Sequence, residues 1–65
     1  MNDDEVKKVW DAKADSSIRI AYIDAMEWIE VSKECKSNTI TTVAERAKER
    51  LEKYIKPQMK ARGMT

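Results

Sequence analysis

Residues Ile18–Val31, IRIAYIDAMEWIEV, hold only four polar side chains in fourteen: Arg19, Asp24, Glu27 and Glu30. A chain of 65 residues has little interior to offer such a segment. A domain of this size buries only about 60% of the surface its unfolded chain exposes, and it is marginal alone. Small scaffolds make up the deficit with disulfides, a structural metal or association with another chain. Cys35 is the only cysteine and there is no histidine, so an intrachain disulfide is impossible and a zinc site has no ligand set. Association is the remaining route. A single unpaired cysteine also fits a reducing compartment.

The apolar segment reads as a helix. Its opening, Ile18-Arg19-Ile20, alternates like a strand, but a strand needs a partner and the chain has no second candidate. Ile18, Tyr22, Ala25 and Ile29 recur at spacings of four, three and four, with Ser32 next. Ala21 and Trp28 widen one side of this stripe and Met26 the other. Ile20, Ile23 and Val31 fall off it, among Asp24, Glu27 and Glu34. The helix therefore carries a broad core face and a second apolar patch that the chain does not obviously cover.

Gly63 and Pro57 are the only residues of their kinds, so few turns are obligatory, and Ala, Glu, Lys and Arg favour helices. A first helix is expected over about 3–14. Asn2 can cap it, Glu5 stands at capping-box spacing, and Asp3, Asp4 and Glu5 suit the positive end of the helix dipole. Val6, Val9 and Trp10 form its narrow stripe. Such a helix is too short to be stable alone and must dock, with Trp10 as anchor. Asp15-Ser16-Ser17 reads as a break, because these side chains compete for backbone hydrogen bonds. The second helix is expected over about 17–35 and the loop at Lys36-Ser37-Asn38-Thr39.

A third helix is expected over about 40–56. Thr42 with Glu45 matches a capping box, while Asn38 or Thr39 could cap earlier. Ile40, Ala44, Ala47, Leu51 and Tyr54 recur at four, three, four and three, with Val43 and Ile55 alongside. Pro57 lacks an N–H and clashes with the preceding turn, so the helix ends or kinks near Lys56. Residues 57–65 are expected to form a short continuation that frays, with Gly63 as a stop. The fold class predicted is all-α. An antiparallel helical hairpin carries a short N-terminal helix, and two such chains associate into a bundle. The expected core is Ile18, Tyr22, Ala25, Ile29, Ile40, Ala44, Ala47, Leu51 and Tyr54. The expected interface is Trp10, Ile20, Ile23, Trp28 and Val31, since Trp and other large apolar side chains serve interfaces well.

Charge is divided unevenly. Residues 1–34 hold nine acids and five bases; residues 35–65 hold three acids and eight bases, and the whole chain is +1. Facing acidic and basic helices in a hairpin explain the division. A nucleic-acid groove at Lys53, Lys56, Lys60 and Arg62 is the alternative. Against it, Glu45, Glu49 and Glu52 interleave with the bases.

Catalysis has no foothold. There is no His for proton transfer at neutral pH, and no nucleophile elbow, phosphate loop or dinucleotide fingerprint. Cys35 follows Glu34 near a helix C-terminus and has no histidine partner to activate it. Glu27, Glu30 and Glu34 share one side of a helix, but the Glu-x-x-His motif of bundle metal sites is missing. No catalytic, cofactor-binding or metal-binding residue is expected. No apolar run approaches the length of a membrane span, and the acidic start predicts no signal peptide. The expectation is a cytoplasmic protein.

In size and make-up the chain resembles the small all-helical accessory proteins of lambdoid bacteriophages, encoded in the early region between the recombination and excision genes. The segments Ile18–Val31 and Thr42–Lys56, in a short, charged, His-free chain, carry the likeness. The resemblance implies a protein of the host cytoplasm that influences the lysis–lysogeny choice through contacts with other proteins. No motif accompanies it, so no residue role is transferred.

Overall fold

Residues 2–64 are described by a computed structural model, and the fold is all-α. Helix α1 spans Asp3–Asp11, α2 Asp15–Glu34 and α3 Asn38–Arg50; a π-helical turn Leu51–Ile55 then leads into α4, Lys56–Ala61. No strand occurs among the described residues.

Helix α1 starts as the cap signal requires: the Asn2 Oδ1 accepts the Glu5 backbone N–H at 2.9 Å. The break after it falls earlier than Asp15-Ser16-Ser17. The chain turns at Ala12–Ala14, and those three polar residues form the first turn of α2. N–H groups there have no intrahelical acceptor, and the Asp15 carboxylate suits the positive end of the dipole. Helix α3 also begins early, at Asn38. Thr42 is not its cap but sits one turn inside, where its hydroxyl donates to the Asn38 carbonyl at 2.9 Å. Residues that can cap a helix are also tolerated inside its first turns, as Thr42 is here.

The expected end of the third helix near Lys56 is replaced by a π turn in which the Lys56 N–H reaches back to the Leu51 carbonyl. Pro57 cannot donate, and its ring crowds the carbonyl four residues back. Widening the turn before it lets helical backbone pass the proline and continue. The expected frayed segment is therefore helical as far as Ala61 and docks on α2. Gly63, at φ 67°, ends it. The Met64 N–H bonds to the Met59 carbonyl at 2.8 Å and the Gly63 N–H to Lys60 at 3.3 Å, the pattern of a Schellman stop. Thr65, the last residue of that expected tail, lies outside the described residues.

Helix α2 makes its most extensive contact with α3, and also touches the π turn and α4. Small side chains allow the approach: Ala25 on α2 and Ala44 and Ala47 on α3 are all buried. Ile18 and Ile55 are fully buried, and Trp10, Leu51 and the three alanines complete the buried set. Val6, Ala21, Tyr22, Ile29, Tyr54, Met59 and Met64 pack around the core as partly buried neighbours. Four of the nine expected core positions, Tyr22, Ile29, Ile40 and Tyr54, are only partly buried. Ile40 is half-buried and stands apart from this cluster, because α3 begins beyond the reach of the central packing. Tyr54 is displaced to the flank by the π turn, which directs Ile55 inward instead.

Trp10 is a core residue, not part of an external interface. It is buried, stacks on Tyr54 with ring centroids 6.1 Å apart and planes 5° from parallel, and lies under the Lys13 ammonium at 5.3 Å. The same end of the molecule is held by Arg62. Its guanidinium donates to the carbonyls of Trp10 and Asp11, each at 3.2 Å, and to Asp15 Oδ1 at 2.9 Å; its Nε donates to Gln58 Oε1 at 2.9 Å. One cation thus closes the C-terminus of α1, where the helix dipole favours positive charge, and pairs with Asp15, whose carboxylate suits the N-terminus of α2. Gln58 adds a hydrogen bond from its amide to the Asp11 carboxylate.

Candidate interaction surface

The outer side of α2 is built by the helical period alone. Ile18, Ala25 and their neighbours turn toward α3, so Ile20, Ile23, Met26, Trp28 and Val31 are left outward, with exposures from 38% at Trp28 to 67% at Ile20. Four of the five expected interface residues lie here: Ile20, Ile23, Trp28 and Val31. Met26, which the stripe assignment placed at the core's edge, belongs with them. Asp24, Glu27, Glu30 and Glu34 are interleaved, all exposed. Among the described residues only Glu30 has a cation beside it, Lys33 at 3.5 Å. The face is thus apolar and acidic together.

On one flank this face runs into a cleft of about 450 Å³ between α2 and α3. Trp28, Ala21 and Asp24 line one wall, Val43, Arg46 and Arg50 the other, and Trp10 and Lys13 close the end. Trp28 therefore serves both surfaces. The large exposed apolar side chains are thus concentrated on the outer side of α2.

Two bulk measures agree. The accessible surface is 4965 Å², against about 4300 Å² for a typical folded monomer of this mass. The radius of gyration is 12.5 Å, against about 11 Å for a compact domain of this length.

The basic candidates are largely engaged within the chain. Lys53 pairs with Glu49 at 3.1 Å and Lys56 with Glu52 at 2.9 Å. Arg62 is held at the α1–α2 junction, and Lys60 is the one of the four without an ion pair among the described residues. The hydrogen bond to Glu49, then the charges of Glu49 and Asp3, raise the Lys53 ammonium above its ordinary value. Such a shift adds stability below the normal lysine range and loses it as pH rises past the raised value. Lys53 is an exposed residue, so the effect is slight.

No cluster of three or more His, Cys, Asp or Glu side chains is placed to hold a metal ion among the described residues. Cys35 is exposed at the end of α2. No described helix is long and apolar enough to cross a membrane. Comparison of the chain with protein-family models, curated proteins and solved structures returns no match, so its own residues carry the functional reading.

Proposed function

We propose that the protein is a non-catalytic interaction module, homodimeric, whose α2 and α3 form an antiparallel hairpin that joins a second copy in a bundle of four principal helices. The outward apolar row of α2 carries this reading: five large side chains left 38–67% exposed, on a molecule with more surface than its mass requires. A dimer interface of ordinary size removes about 800 Å² from each partner, comparable to the excess. The Trp28 side and the adjoining cleft are then left for a target protein. The likeness to phage accessory proteins extends the proposal to a host or phage regulatory protein as that target, met in the bacterial cytoplasm.

The alternative, nucleic-acid binding through Lys53, Lys56, Lys60 and Arg62, has less support because three of the four already serve intramolecular partners. Light scattering at micromolar concentration tests the main reading, with a dimer expected. A well-folded monomer overturns it. Retardation of DNA or RNA that falls steeply with salt would favour the alternative, since phosphate contacts release counterions.

A further inference from the structure

We propose that the outer face of α2 is an isologous interface with its two-fold axis over Ile23, in which Arg19 of each chain pairs with Glu27 of the other. This rests on the homodimeric reading above and gives it a register.

The residues on this face are arranged in complementary pairs about Ile23. Three residues to either side stand Ile20 and Met26, both exposed and apolar. Four to either side stand Arg19 and Glu27, exposed and of opposite charge. Seven to either side stand Ser16 and Glu30, a hydroxyl donor and a carboxylate acceptor. At about 100° per residue, the positions four away are turned only about 40° from Ile23, and those three away about 60°. All of them therefore share its face. With a rise of about 1.5 Å per residue, Arg19 and Glu27 lie about 6 Å along the axis on opposite sides of Ile23. An antiparallel second copy centred there brings each Arg19 level with the opposing Glu27, and each Ile20 level with the opposing Met26. An isologous contact requires this form: if residue i meets residue j, residue j meets residue i.

Charge selects this register over others. A parallel pairing of the same face sets Glu27 against Glu27 and Glu30 against Glu30. An antiparallel pairing centred on Glu27 again sets it against its own copy and puts Asp24 against Glu30. Like charges opposed in this way are destabilising. Among the described residues, meanwhile, neither charge has an ion-pair partner. The helical neighbours of Glu27 at three and four residues are Ile23, Asp24, Glu30 and Val31, none of them cationic. Arg19 has one carboxylate at such spacing, Asp15, which is held by Arg62.

The test is a charge-reversal cycle read by sedimentation equilibrium at low salt. Arg19→Glu and Glu27→Arg are each expected to weaken dimerisation about tenfold or more, and the double reversal to restore it. All these positions are exposed, and unchanged helicity by circular dichroism confirms folding. In a Cys35→Ser background, Ile23→Cys is expected to form a disulfide-linked dimer on mild oxidation, and Val31→Cys is not. A dimer indifferent to both single reversals, or one that also cross-links through Val31→Cys, overturns this register and leaves the homodimeric reading standing. A wild-type monomer overturns both.

Discussion

Arg62 shows how one side chain changes meaning once its surroundings are known. In the sequence it is the last of a run of bases. Folded, it is 17% exposed and bonded to two carbonyls at the end of α1. Its ion pair with Asp15 adds little by itself, because Asp15 is 71% exposed. The hydrogen bonds to the α1 carbonyls carry more. Arg62→Ala is expected to lower stability by about 1–2 kcal/mol in urea unfolding, and Arg62→Lys to recover little, since an ammonium cannot span the fork. The two tryptophans separate just as clearly. Trp10→Ala removes a buried, stacked ring and is expected to cost about 3–5 kcal/mol, enough to unfold a chain this small. Trp28→Ala is expected to stay within about 1 kcal/mol in a monomer-stability measurement, because its ring is already partly in water.

At the scale of elements, the α2–α3 contact depends on small residues, and the final third of the chain on a single proline. Ala25, Ala44 and Ala47 leave no room for longer side chains at close helix approach. Ala47→Leu is expected to overpack the contact and cost about 1–3 kcal/mol by thermal unfolding. The same change at exposed Ala61 should cost almost nothing. The π turn makes Ile55, not Tyr54, the inward residue. Ile55→Ala is therefore expected to cost about 2–5 kcal/mol. Tyr54→Phe loses only an exposed hydrogen bond to Asp3 at 3.3 Å and should be nearly silent. A uniform α-helix through Pro57 would have made these two positions closer in importance.

For the whole molecule the issue is whether 65 residues suffice alone. The core is apolar throughout, with no buried polar side chain among the described residues. It is also small, and a large part of the chain's apolar content remains on the outside of α2. If a second copy covers that face, folding and association are linked. The midpoint of thermal unfolding is then expected to rise by several degrees when protein concentration is raised about a hundredfold. A midpoint independent of concentration would mean that the monomer is the stable unit.

Periodicity alone determined that this chain is helical and which side of α2 turns inward. Apolar residues at spacings of three and four leave a helix one way to face its neighbour, so Ile18, Ala25, Ala44, Ala47 and Leu51 were legible as core. So was the outward set Ile20, Ile23 and Val31, because a residue off the stripe has no covering element nearby in sequence. Contacts between residues far apart in the chain were decided only by the tertiary structure. Nothing local links Trp10 to Tyr54, or Arg62 to the end of α1, since neither pair shares a helix. The exact starts of α2 and α3 and the π turn also lay beyond sequence reading. There, several backbone arrangements differ by one hydrogen bond, too small a margin for local sequence to decide.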